Sequence, residues 1–232
     1  MVRRMSLHVR WLGRIEYHAA WRLQHELVAA RANGEATDTL LLLEHPAVLT
    51  LGRQADESHV RASVAELARR GIDLVRVERG GEVTYHGPGQ LVAYPIIRLA
   101  DRDLLLRPFV RALEQAMADT CAAFGVEADR REGYPGCWAD AQGGRPRKLG
   151  ALGLRIERGV SYHGIALNVT TALADYDLID PCGMPGVAVT SIAREAGWSG
   201  ERALPTTHSV EIAANHFAQA LERTLGRVPV PA

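Results

Sequence analysis

Hydrophobic and polar residues alternate along Leu7 to Gly13, "LHVRWLG", as they do in a half-buried first strand. Glu16 to Ala32 then reads as a helix, and Asn33-Gly34 supplies the left-handed residue at which helices commonly stop. "TLLLLEH" and "AVLTLGR" are apolar runs of strand length on either side of His45-Pro46, so both are expected to be buried strands around a turn. Ser63 is placed to cap a short helix ending at Gly71. "DLVRVERG", "EVTYHG" and "QLVAYPIIRL" follow as strands, with Gly87-Pro88-Gly89 as the turn between the last two.

Pro108 to Phe124 is expected to be a long helix, in which Leu113, Met117 and Cys121 recur at four-residue intervals and so share one face. "GCWAD", "KLGALGLRIER" and "VSYHGIALNV" form a second group of strands, and Thr207 to Leu225 a closing helix. The sum is an α+β fold, a mixed β-sheet flanked by helices. No repeat, low-complexity tract or long linker divides the chain, and Pro229 to Pro231 reads as a tail, so residues 1–232 are expected to form a single domain.

Composition narrows the functional classes. The 232 residues are 47% hydrophobic, enough for a sizeable core. Lys+Arg and Asp+Glu both number 27, so no net field draws the molecule to nucleic acid or to an anionic membrane, and a charged partner must be met by a local patch. No run of eighteen apolar residues is present to span a bilayer. Arg3, Arg4, Arg10 and Arg14 give the start of the chain an acid-free, transit-like look, but the segment is short and strand-patterned, and a cytoplasmic location is expected. Three cysteines without CxxC spacing point to free thiols in a reducing compartment, with no zinc site and no cofactor expected.

The cysteines differ in setting. Cys121 lies on the apolar helix face and Cys137, in "YPGCWAD", at the start of a strand beside Trp138; both read as core. Cys182, in "DPCGMPGVAVTSI", stands among the turn-forming residues Pro181, Gly183, Pro185 and Gly186, in a loop of the kind that displays reactive groups. It is the candidate nucleophile.

Lys148 is the only lysine in the chain, every other Lys/Arg position being arginine. A guanidinium does not give up its proton in a protein, whereas an amine can be tuned to act as acid and base, so Lys148 is a candidate proton shuttle. An ordinary thiol is only about 3% ionised at pH 7, and a neighbouring cation raises that fraction. Exchange of an acyl group between sulfurs is nearly neutral in energy and needs no ATP. Neither a Walker A loop nor a GxSxG elbow is present. "RGGEVTYHGPGQ" and "KLGALGLRIERGVSYHGIALN" place small residues and a Tyr-His-Gly triplet, Tyr85-His86-Gly87 and Tyr162-His163-Gly164, near strand ends. The small, uncharged residues among them suit an extended acyl chain better than a phosphate.

"LLLEHPAVLTLGR", "RGGEVTYHGPGQLVAYPI", "KLGALGLRIERGVSYHGIALNV" and "DPCGMPGVAVTSI" resemble, in order, the motifs of the lipoate-protein ligase B family, octanoyl-[acyl-carrier-protein]:protein N-octanoyltransferases, from about Leu41 to Ile192. The resemblance implies a sheet similar to that of biotin and lipoate ligases. It implies ATP-independent octanoyl transfer from octanoyl-acyl carrier protein to a lysine of lipoyl domains, those of 2-oxoacid dehydrogenases and the glycine cleavage H protein, as the first step of protein lipoylation. It assigns the acyl-thioester intermediate to Cys182 and its tuning to Lys148. The acyl pocket falls on Arg79, Gly80, Gly81, Glu82, Val83, Thr84, Tyr85 and His86, on Ala151, Leu152 and Gly153, and on Gly164, Ile165 and Ala166. Cys137 departs from the pattern, which has an aliphatic residue there. The Arg145 to Lys148 stretch is a candidate contact for the acidic carrier. Two rivals remain: an ATP-dependent lipoate or biotin ligase on the same fold, which needs no thiol, and a non-catalytic lipoyl-domain or acyl-binding module, for which Cys182 and Lys148 are dispensable.

Overall fold

The structure, a computed structural model, describes residues 7–198 and 206–226; Arg3, Arg4 and the Pro229–Pro231 tail lie outside the described residues. β1 (His8–Arg14) leads into helix α1 (Tyr17–Asn33), whose C-terminus is closed by Gly34 at φ 82°. β2 (Thr39–Glu44) and β3 (Val48–Leu51) follow, then α2 (Val64–Arg70), where the Ser63 hydroxyl accepts from the Glu66 amide and Gly71 closes the helix. β4 (Asp73–Arg76), β5 (Val83–His86) and β6 (Gln90–Ile96) precede α3 (Leu106–Ala122). The last half holds β7 (Asp129–Arg131), β8 (Tyr134–Ala139), β9 (Arg147–Glu157), β10 (Val160–Asn168), the short α4 (Ile192–Glu195) and α5 (Thr206–Leu225).

Seven strands form a mixed sheet in the order β1-β2-β6-β10-β9-β8-β7, and three form a smaller one in the order β4-β3-β5. Among the strands of the described residues, β1–β2 and β3–β4 pair in parallel and the other pairs are antiparallel. The two runs around His45-Pro46 are therefore strands, as expected, but not a hairpin: β2 pairs with β6 in the large sheet and β3 with β5 in the small one. The turn at Gly87–Gly89 makes the same crossing between sheets. The Glu44 carboxylate holds it by accepting from the Gly89 amide at 2.6 Å.

β2 is buried along its whole length because the sheet is covered on both faces. Leu40 and Leu42 face a core with Leu91, Ala93, Ile165 and Leu167, roofed by Phe109, Leu113, Met117 and Cys121 of α3 and by Val210, Phe217 and Leu221 of α5. Leu41 and Leu43 point the other way, to Val92, Tyr94 and Ile96 and to Ala20 and Val28 of α1. The small sheet has its own core of Leu49, Leu51, Val83, Tyr85 and Tyr176. The space between the two sheets is where the site lies.

Candidate active site

Lys148 enters the site from the start of β9. Its chain is buried against Trp138, with Nζ 4.4 Å from the centre of the indole, and Nζ donates to the Pro135 carbonyl at 2.9 Å. Burial lowers its pKa, and the facing Cys182 sulfur and Glu114 carboxylate act in the opposite sense. The residue's backbone fixes what its side chain meets. The Lys148 amide donates to Ala188 at 2.8 Å and its carbonyl accepts from Thr190 at 2.9 Å, so β9 holds the loop that carries Cys182.

Cys182 has left-handed backbone angles, φ 58° and ψ 27°, and Gly183 follows at φ 66°. A non-glycine residue is held there at some cost, of about 1 kcal/mol or more, so the surroundings must over-determine it. They do so from two sides. The Asp180 amide donates to the His59 carbonyl at 2.8 Å, and the Gly183 amide to Asp180 at 3.0 Å. A Cβ on Gly183 would lie 3.0 Å from Glu82 Cγ and 3.2 Å from His59 Cε1, a tight fit at a left-handed φ that favours glycine. Cys182 is the half-buried cysteine, while Cys121 and Cys137 are buried. The hydrogen bond with the neighbouring Cys121 thiol, followed by burial, pushes the Cys137 pKa up.

A cavity of about 770 Å³ opens beside Cys182 and Lys148. Of the residues expected to form the acyl pocket, Arg79, Gly80, Gly81, Glu82, Val83, Thr84, His86, Ala151, Leu152, Gly153, Gly164, Ile165 and Ala166 line it. Tyr85 does not: strand alternation turns it into the core of the small sheet, where its hydroxyl donates to Asp175 at 3.0 Å. Arg79 is a wall of the cavity rather than a surface cation. Its Nη2 donates to the Thr50 carbonyl (2.7 Å) and hydroxyl (2.8 Å), its Nη1 donates to Gly80, and burial lowers its pKa. Glycine at 153 leaves space for that chain, since a Cβ there would sit 3.2 Å from Arg79 Cδ and 2.8 Å from the Gly80 oxygen.

The cavity also takes Tyr17, Glu78, Tyr94, His163, Leu106, Val110 and Tyr134, which motif spacing did not single out as its lining. The Tyr162-His163-Gly164 triplet was the one sequence signal near this group. Tyr17 lies in the first helix and Leu106 just before Pro108, where the expected long helix began, and neither carried a signal. At the cavity wall and behind it, buried histidines are held neutral. Burial takes His45 down to about 4 and His86 down to about 3, and each ring is pinned, His45 between the Ile15 carbonyl and the Tyr94 hydroxyl, His86 by Gln90. Among the described residues no group of three or more His, Cys, Asp or Glu is placed to hold a metal.

The fold and the cavity between its sheets define a protein of the lipoate-ligase catalytic-domain class. Residues 16–222 match the family described as the lipoyl protein ligase A/B catalytic domain. The chain is 47% identical to an octanoyltransferase of Chloroflexus aurantiacus over 83% of its length and 85% of that protein's. It is 46% identical to an octanoyltransferase of Acidobacterium capsulatum, over 93% and 90%. The chain therefore belongs to the lipoyl protein ligase A/B family, in its octanoyltransferase branch. At the level of fold it is similar to the bipartite lipoate protein ligase of Thermoplasma acidophilum (TM-score 0.67, 14% identity, 95% of this chain and 85% of that one). It is equally similar to a lipoate-protein ligase A solved with ATP (TM-score 0.67, 16% identity, 96% and 85%).

Proposed function

We propose that the protein is an ATP-independent octanoyltransferase that takes the octanoyl group from octanoyl-acyl carrier protein, holds it as a thioester on Cys182, and delivers it to a lysine of a lipoyl domain. One observation carries this reading: the only lysine of the chain is buried with its amine facing a half-buried loop cysteine, at the wall of an apolar cavity. In the first step the Lys148 amine takes the proton of the Cys182 thiol, the Cys182 sulfur attacks the thioester carbonyl, a carbon–sulfur bond to Cys182 forms, the bond to the carrier sulfur breaks, and the carrier thiolate takes that proton from Lys148. In the second step the acceptor amine attacks the new thioester and gives its proton to Lys148, the Cys182 carbon–sulfur bond breaks, and Lys148 hands that proton to the departing Cys182 sulfur. Burial favours the neutral amine of Lys148, so one group serves as base and then as acid in each step. The other residues of the wall, Gly81, Ala151 to Gly153 and Gly164 to Ala166 among them, lie along the acyl chain, and residues 1–232 act as a single cytoplasmic catalytic domain.

Incubation with octanoyl-acyl carrier protein, without ATP, is expected to add one octanoyl group, and peptide mapping to place it on Cys182. Transfer that requires ATP and leaves no covalent label would make the protein a ligase instead. Binding without turnover would make it a non-catalytic module.

A further inference from the structure

The rim of the cavity carries cations without local partners. Elsewhere many arginines meet carboxylates: Arg31 pairs with Asp38 and Asp101, Arg102 with Asp38, Arg70 with Glu66 and Asp175, Arg76 with Glu57. Arg147 of the expected carrier contact is likewise taken, its Nε and Nη2 each 2.8 Å from the Glu195 carboxylate, and Lys148 is buried, so that stretch offers a partner Arg145 alone. Arg107, Arg111, Arg130 and Arg131 make no ion pair with any described carboxylate.

These four lie on the two elements, α3 and the β7–β8 hairpin, that supply one edge of the cavity. Leu106 and Val110 of α3 line it, and Arg107 and Arg111 each follow one position later. On the facing β7–β8 hairpin, Arg131 lies 4.5 Å from the centre of the Tyr134 ring, and Tyr134 and Pro135 line the cavity too. The same edge exposes Leu105 (63%), Leu106 (48%) and Tyr134 (42%), half of the large hydrophobics exposed among the described residues. Glu132 is the exposed acid of the hairpin tip, and Asp129 turns back onto the Arg130 amide. On a chain of zero formal net charge, unneutralised arginines around an apolar patch form a surface that lacks its complement.

We propose that this rim, the start of α3 with the β7–β8 hairpin, is the docking surface for the acidic acyl carrier that delivers the thioester. The proposal rests on the octanoyl-transfer reading. Its complement is an acidic protein face with apolar residues at its centre, and the place is right for delivery, because the Pro135 carbonyl that holds Lys148 belongs to the same hairpin. Arginine at the edge of an apolar contact steers encounter and fixes orientation, with an effect that salt screens.

The test compares two donors for acylation of Cys182: octanoyl-acyl carrier protein and a small octanoyl thioester of N-acetylcysteamine. The variant combines Arg107→Glu, Arg111→Glu and Arg130→Glu, all on exposed side chains. The expected result is a KM for the carrier-bound donor raised at least about tenfold with a flattened salt dependence, an unchanged rate with the small thioester, and unchanged KM for the lipoyl-domain acceptor. The small thioester also reports that the variant is folded; if the glutamates unfold it, the three alanine substitutions replace them, with the same expectation in direction. Unchanged KM for the carrier overturns the proposal, as does a rise confined to the acceptor, which would give the face to the lipoyl domain. A wild-type protein that accepts neither donor would instead overturn the octanoyl-transfer reading.

Discussion

Lys148 and Cys182 come from distant parts of the chain that main-chain hydrogen bonds between Lys148 and residues 188–190 bring together. Their separate duties can be tested one at a time. Cys182→Ser is expected to abolish acyl transfer, because a hydroxyl without a dedicated base is a far poorer nucleophile. Cys121→Ser leaves the site untouched and should keep most of the rate, with its loss appearing in stability because Cys121 is fully buried beneath the sheet. Turnover assays alongside thermal melts separate the two. Lys148→Arg keeps a positive charge but cannot alternate between acid and base, and it must fit a larger head against Trp138 and Pro135. Its transfer rate is expected to fall by at least about a hundredfold, within the range general acid–base catalysis supplies. Near-normal turnover in this variant would end the proton-shuttle role.

At the scale of elements, the cavity depends on strands approaching closely. Gly164 of β10 packs closely on β6, and a Cβ there would collide with the Ala93 carbonyl and come within 2.7 Å of Pro95 Cδ. Neither neighbour is the free end of a flexible chain. Gly164→Ala is thus expected to destabilise the fold by about 1–3 kcal/mol, the ordinary cost of overpacking, read from the midpoint of denaturant unfolding. Because β10 also lines the cavity, acyl transfer should weaken as well. Gly144, by contrast, has open space around its Cβ position, and Gly144→Ala should leave both quantities near their starting values. Equal effects of the two substitutions would show that close strand approach at Gly164 does not matter.

For the whole molecule, the buried histidines govern stability in mild acid. The folded-state pKa values of His45 and His86 lie at about 4 and about 3, below the ordinary 6.5. Below pH 6.5 the unfolded chain binds protons that the folded chain refuses, so the stabilisation they contribute is complete above that pH and is lost progressively down to the folded values. Each such group costs about 1.4 kcal/mol per pH unit within that window. The melting temperature should fall steadily between pH 6.5 and 4.5. His45→Gln is expected to start lower, since it disturbs the links to Ile15 and Tyr94, and to fall less steeply. A melting temperature independent of pH across this interval would contradict the burial of these rings.

The sequence by itself determined most of the helices and strands, β7 and α4 excepted, because periodicity, caps and turn residues act within a few residues of one another: Gly34 and Gly71 end helices and Ser63 begins one as its local pattern requires. It also singled out Cys182 by its turn-rich loop and Lys148 by its uniqueness, and four ordered motifs gave the family. Only the tertiary structure decided that the strands on either side of His45 belong to different sheets, since sheet partners such as Leu41 and Tyr94 are chosen by contacts far apart in sequence. For the same reason Tyr85, inside a motif, faces away from the cavity, while Tyr17, Glu78, Tyr94, Leu106 and Tyr134, outside the motifs or at their margins, line it. Pairing decided which charges are free as well. Arg147 is matched by Glu195, forty-eight residues away, and Arg107 and Arg130 are not matched, a difference that no local pattern of charge along the chain records.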